Sequence, residues 1–207
     1  MDKRLFFSAT RKNRDCIGDV LSGFIKKKGS ILEIGSGSGE HGVFFQKRFS
    51  GIVWQTSDPK LVHRKSISSW IDYEKLNKIM PQPLYIDVEK IPWKIPFQLA
   101  YSLQGVVSIN MIHVAEWTCT IALFRESGKL LKEGQFLMLY GPFKIGNKYT
   151  SKSNYFFDNS LKIQNDHWGL RNVEEVSNEA KKNGFVQEDL ISMPSNNFSI
   201  IYKKFSY

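Results

Sequence analysis

Long apolar runs are missing from this 207-residue chain. No window approaches the ~18 apolar residues that a membrane-spanning helix needs, so a helical membrane span is excluded and no membrane partner is expected. Cysteine is equally scarce. Cys16 and Cys119 are the only two, and neither lies in a C-x-x-C or metal-type spacing. Two thiols cannot build a disulfide framework, and a reducing compartment is expected. The histidines, His41, His63, His113 and His167, form no ligand pair at metal spacing, so no metal is expected. The first eleven residues hold one apolar trio, Leu5-Phe6-Phe7. That falls short of the roughly 7–15 apolar residues of a signal peptide, which points to a cytoplasmic protein.

What is present suits one α/β domain over residues 1–207, because 42% hydrophobic residues can fill a sizeable core. The net charge of +9 has two readings. It can serve an anionic partner such as RNA or DNA. Alternatively it reflects scattered lysines, since Lys26-Lys27-Lys28 and Lys181-Lys182 close helices, where positive charge complements the dipole.

Periodicity predicts a helix over residues 9–28 and a short strand at 31–34, followed by a glycine-rich loop and a helix at 41–49. Strands follow at 52–55 and 84–86, with a helix between them. The run at 105–109 is continuously apolar, as a strand covered on both faces should be. A helix at 117–131, a strand at 136–140, a helix at 173–182 and a closing strand pair at 185–191 and 198–202 complete the series. Alternating strands and helices predict a mainly parallel seven-stranded sheet with helices on both faces. The final pair has no helix between its members, so the last strand must be antiparallel. This ending is that of the Rossmann-like class I methyltransferase variant of the doubly wound fold. Residues 144–172 break the alternation with a polar, aromatic stretch. An insert of that length is expected to be functional, as a cover over a substrate.

The strongest motif is Glu33-Ile34-Gly35-Ser36-Gly37-Ser38-Gly39, placed between a strand and a helix. Gly37, Gly39 and Gly42 also match the dinucleotide pattern G-x-G-x-x-G, with Asp58 near the expected acid. Three features favour S-adenosylmethionine. Glu33 lies two residues before the first glycine, the glycines alternate at 35, 37 and 39, and a full helix precedes the loop. That cofactor has no phosphate but carries an ammonium, a ribose diol and an adenine. Asp58, ending the second strand, can accept from the ribose hydroxyls. Asp87, ending the third, can accept from the adenine amine. Glu33 can bond the ammonium or brace the loop. Both aspartates also have plain readings, as a turn residue and a helix cap.

Several segments resemble one family, the methyltransferase-like protein twenty-six family, catalogued as a domain of unknown function. They are residues 11–15, 54–58, 109–113, 139–144 (Leu139 through Lys144), 153–161 and 193–197. Cys16 stands where relatives often have proline. The resemblance runs from about residue 8 to residue 204 and implies the S-adenosylmethionine fold, with S-adenosylhomocysteine as product. It brings no methyl acceptor and no agreed base.

Position alone nominates the remaining residues. Asn110 and Met111 follow the fourth strand, where the reactive methyl should lie, and would contact the cofactor. Asn110 could orient the acceptor, His113 could act as general base, and Tyr140 could face the same pocket. Asn154 and Asp158 would line an acceptor site if the insert covers it. Asn13 and Arg14 could reach over the cofactor, Arg14 toward a carboxylate. The leading expectation is a methyltransferase acting on a small molecule. The alternatives are an RNA or protein methyltransferase using the basic surface, and a non-catalytic cofactor-binding protein.

Overall fold

A computed structural model of the chain describes residues 2–205. It divides into two compact units, up to Val107 and from Ser108 onward.

In the first unit, α1 (Thr10–Ser22) leads to β1 (Gly29–Ile34), α2 (Glu40–Arg48), β2 (Ile52–Ser57), α3 (Leu61–Tyr73) and α4 (Phe97–Ser102). The expected helix over 9–28 ends early, at Ser22. Its hydroxyl turns back to the Gly18 carbonyl at 2.8 Å, and Gly23 follows, a poor helix former. Gly29, at φ +130°, opens β1. A Cβ there would lie 2.8 Å from the Ser102 carbonyl. β1 and β2 pair in parallel, with Glu33 opposite Thr56 and Ile34 opposite Ser57. Their core is Ile31, Leu32, Ile34 and Trp54, all buried, with Phe45 of α2 packed on Trp54 at 4.8 Å between ring centres.

β3 (Leu103–Ile109) straddles the unit boundary and is buried along its whole length. The second unit continues with α5 (Trp117–Leu130), β4 (Phe136–Gly141), the small hairpin β5 (Lys144–Ile145) and β6 (Lys148–Tyr149), α6 (Lys152–Gln164), α7 (Val173–Lys182), β7 (Phe185–Met193) and β8 (Asn197–Lys204). β8 runs antiparallel to both β4 and β7. α7 carries Glu174 and Glu175 in its first turn and Lys181 and Lys182 in its last, matching its dipole at both ends.

The strand order is β2-β1-β3-β4-β8-β7. The sheet therefore has six strands rather than seven. Residues 84–86 contribute one parallel bridge, Ser57 with Leu84, held by Leu84 N–H to Thr56 O and Asp58 N–H to Leu84 O. Pro81 and Pro83 lie just before it and have no N–H to donate to a ladder. The stretch 144–172 is largely regular: the β5–β6 hairpin and then α6, whose N-cap Ser151 accepts from the Asn154 amide. The short helix α4 has no periodic signature in the sequence. Among the described residues no helix is long and apolar enough to cross a membrane.

Candidate functional site

The glycine loop between β1 and α2 reverses the chain through three left-handed residues, Gly35 (φ +71°), Gly37 (φ +56°) and Gly39 (φ +90°). Side chains rarely tolerate that backbone, so the alternation of glycines is a backbone requirement. Ser36 pins the bend to the neighbouring strand: its N–H donates to Ser57 O at 2.9 Å, and its hydroxyl accepts from the Ser57 amide at 3.1 Å.

Asp58, at the tip of β2, is buried and faces this loop. Its Oδ2 accepts from the Gly37 amide at 3.0 Å and its Oδ1 from the Lys60 amide at 2.9 Å. His63 Nδ1 lies 3.0 Å from the same Oδ1. A carboxylate offers about four acceptor positions, so two amide donors leave capacity for a ligand diol. Asp87 is half-buried, with its carboxylate 3.2 Å from Lys90 Nζ.

Glu33 points beneath the loop. Its Oε2 accepts from the Trp54 indole N–H at 2.8 Å, and a Cβ on Gly42 would come within 3.2 Å of it. Burial pushes its carboxyl up to about 7, the nearby Asp58 charge adds to the rise, and the Trp54 and Ser36 donors hold it back. The bracing reading of Glu33 is the one this geometry displays.

Glu40 is the acid that pattern reading passes over. At the first position of α2, its buried Oε2 accepts from the Phe7 amide at 2.8 Å and the Ser38 hydroxyl at 3.1 Å. Residues 5–7 are thereby strapped across the loop. Leu5 N–H donates to Ser66 Oγ, Trp70 Nε1 donates to Leu5 O, and the Phe7 ring packs against Gly37. These contacts join residues some 30 to 65 positions apart, which no local spacing reveals.

Asn13 and Arg14 sit on α1. Asn13 is buried, with Oδ1 2.8 Å from His41 Nε2, so its carbonyl ties α1 to α2. Arg14 lies over the Phe44 ring at 4.7 Å. Burial, with the Arg14 charge adding, lowers His41 to about 3, so this imidazole is neutral.

In the second unit, Asn110 turns the chain after β3 in a left-handed conformation (φ +58°), and its amide donates to Tyr140 O at 2.8 Å. Met111 opens the following turn, with its carbonyl accepting from Val114. His113 is 1% exposed and packs edge-on against Phe143 at 4.9 Å, yet neither ring nitrogen has a hydrogen-bond partner. A Cβ on Gly141 would overlap its Nε2 and come within 3.1 Å of Asn110 Oδ1. Gly141 therefore leaves the space into which this imidazole and amide point. Burial, reinforced by Arg171, lowers His113 to about 3, far below the value that suits a general base near neutral pH. Tyr140 is buried at the end of β4.

Asn154 and Asp158 build the insert. Asn154 Nδ2 donates to Thr150 Oγ1 and to Asn196 O, both at 2.9 Å. Asp158, fully buried, accepts at 2.6 Å from the Tyr149 hydroxyl, the Lys162 ammonium and the Leu170 amide. Burial alone would raise its carboxyl; these three donors together reverse that and lower it. The polar groups expected to meet an acceptor, Asn13, Asn154 and Asp158, are thus engaged within the protein itself.

A family model described as a protein of unknown function, DUF938, matches residues 4–204. The chain belongs to the DUF938 family. This DUF938 member is similar to solved methyltransferase structures. Mitomycin 7-O-methyltransferase MmcR matches with a TM-score of 0.79 at 13% identity, over 96% of this chain and 55% of that one. An O-methyltransferase family protein from Burkholderia thailandensis matches at 0.75 and 13%, over 93% and 56%. The O-methyltransferase NcsB1 from neocarzinostatin biosynthesis, in complex with S-adenosylmethionine and 2-hydroxy-5-methyl naphthoic acid, matches at 0.73 and 11%, over 95% and 55%. The DUF938 chain spans about half the length of these proteins. At such identities the likeness is one of fold: a Rossmann-like α/β architecture with a mostly parallel sheet and an antiparallel last strand.

Proposed function

We propose that this protein binds S-adenosylmethionine and transfers its methyl group to a small molecule. The observation that carries the reading is the left-handed Gly35-Gly37-Gly39 bend clasped to Asp58 at the tip of β2. In sheets of this kind, ligands bind beyond the carboxyl ends of the strands. The acids decide which ligand. Glu40 already places a buried carboxylate at the N-terminus of α2, where a dinucleotide would put its pyrophosphate. Glu40 and Asp58 together make a negative surround, which repels phosphate and suits a sulfonium and an ammonium. The residues present therefore fit the cofactor.

Asp58 would hold the ribose diol, and the glycine loop would give the close backbone approach. Asp87 would take the adenine amine. When bound, the cofactor supplies an electrophilic methyl on sulfur. What the chain adds is alignment and exclusion of water. For acceptor chemistry the second unit offers Asn110, His113 and Tyr140. His113 is neutral and unpartnered, so it fits hydrogen bonding to an acceptor better than proton abstraction. The resemblance of residues 109–113, 139–144 and 153–161 to the methyltransferase-like protein twenty-six family supports the same reading.

The test is calorimetric titration with S-adenosylhomocysteine and, separately, NADH, followed by incubation of a metabolite extract with methyl-labelled cofactor. Homocysteine-nucleoside binding, no NADH binding and a labelled low-mass product are expected. NADH binding in its place would sink the cofactor assignment. Cofactor binding with label appearing only on RNA or protein would overturn the small-molecule acceptor.

A further inference from the structure

The outer face of α1, α2 and α3 carries a groove of about 910 Å³, which the N-terminal segment also borders. Its charged lining is Arg4, Arg11, Arg14, Lys47 and Arg48 against Glu40 and Glu74. The chain has 22 lysines and 7 arginines. Four of those arginines line this one groove, with a single lysine. A merely solvated basic surface would repeat the lysine-rich composition. Arginine differs from lysine in its planar, stacking, bidentate head.

The arginines are used in that way. Arg4 lies 3.5 Å from the Tyr73 ring centre and 4.7 Å from Trp70; Arg14 lies 4.7 Å over Phe44 and Arg11 5.7 Å from Phe6. Each of these guanidinium groups lies within cation–π reach of a ring, which restrains it beside the groove. Three of the cations have close carboxylates: Arg4 with Asp2, Lys47 with Glu74 and Arg48 with Asp19, all within 2.8 Å. The other two do not. Arg11 and Arg14 have their nearest carboxylates at 3.8 and 3.9 Å, and the buried Nε of Arg14 donates no hydrogen bond. Beside them, Phe6 and Tyr73 stay 55% and 62% exposed.

We propose that this groove binds single-stranded nucleic acid, with phosphates at Arg11 and Arg14 and unpaired bases on the rings of Phe6 and Tyr73. Cationic grooves with exposed rings are how proteins hold unpaired strands. A duplex hides its base faces in its own stack, and an acidic peptide has carboxylates but few flat faces. Glu40 borders both this groove and the glycine loop, but the proposal does not depend on the cofactor assignment.

The test is fluorescence anisotropy of the full chain with a labelled oligouridylate of about 12 nucleotides, within the span such sites cover. Binding is expected at about 50 mM salt, weakening steeply toward about 200 mM. The double variant Arg11→Gln/Arg14→Gln should weaken binding about tenfold or more and reduce the salt slope by about 1.4, two phosphates' worth. Lys181→Gln/Lys182→Gln, with the same charge loss elsewhere, should stay within about twofold. Tyr73→Ala should weaken binding at least about fivefold with the slope unchanged, as loss of one stacked base does. If the double variant unfolds by circular dichroism, Arg11→Gln alone, whose side chain is 67% exposed, should still show about a threefold loss. The proposal falls if no binding occurs at low salt or if both double variants lose affinity equally. It falls as well if Tyr73→Ala is silent while polyphosphate of matched length competes as well as RNA.

Discussion

The glycine loop and the His113 pocket handle buried polar groups in opposite ways. Around the loop the acids and Ser36 are matched: Asp58 with two amides, Ser36 with Ser57 in both directions, Glu40 with Phe7 and Ser38, Glu33 with Trp54. At His113 two ring nitrogens are buried without partners, beside a glycine whose Cβ would overlap Nε2. A matched site is rigid before a ligand arrives, so its ligand meets preformed geometry. An unmatched buried polar group costs stability, and such groups persist where something else needs them. Under the proposed function, the contrast fits a loop that supplies shape and a histidine that supplies chemistry.

The comparison can be broken at the loop first. Glu33 is matched in hydrogen bonds but not in charge. Its carboxyl is raised from 4.5 to about 7, so folding favours its protonated form. That advantage is complete below about pH 4.5 and disappears as pH rises through 7. Glu33→Gln, which keeps an acceptor for Trp54, should therefore stabilise the ligand-free protein by roughly 3 kcal/mol at pH 8 and change little at pH 4.5. Urea melts at the two pH values measure this. A pH-independent difference would mean that the carboxylate is not strained by burial.

Asp58→Ala strikes the clasp itself. It should weaken S-adenosylhomocysteine binding by about 1–3 kcal/mol, the scale of a buried polar group left unpaired. Unchanged affinity by calorimetry would remove Asp58 from the site. Gly141→Ala tests the opposite pocket. The added methyl must push His113 or Asn110 aside, at a cost of about 1–3 kcal/mol in folding stability, and a shift of the imidazole resonances should report the displacement. An unperturbed imidazole would show that the space beside Gly141 is not needed.

The loop and its acid are legible in the sequence because they are local. Alternating glycines announce left-handed backbone, and Asp58 follows at the tip of the next strand. The closing antiparallel pair is legible because residues 185–202 leave no room for a crossover helix. Other features depend on partners far along the chain. Nothing near Glu40 indicates that it holds Phe7, and nothing near Asp158 indicates three donors converging on it. A polar residue in an aromatic insert carries no local sign of the internal bonds it makes. The seventh strand is missing for a legible reason, the prolines at 81 and 83. The basic groove is hidden because the net charge is carried mostly by lysine and the arginines converge only in three dimensions.

The smallest expected effect decides most about His113. Its folded value is lowered from 6.5 to about 3, so neutral imidazole is the form that the fold accepts. The associated stability is complete above about pH 6.5 and declines as pH falls toward 3. By pH 5.5 the deficit should be about 1 kcal/mol from this residue, with a similar share from His41, which burial lowers alike. His113→Leu removes one of the two shares, so its stability should fall less between pH 7 and 5.5 than that of the parent protein. At pH 7 the change also removes two unpartnered nitrogens, and replacing an unsatisfied polar group by an apolar one of similar size is close to neutral or stabilising. A variant that is at least as stable at pH 7 and flatter in acid, but unable to transfer methyl, would mean that the imidazole is retained for chemistry at the expense of the fold. A clearly destabilised variant would mean that the nitrogens are satisfied in solution, and the contrast with the loop would vanish.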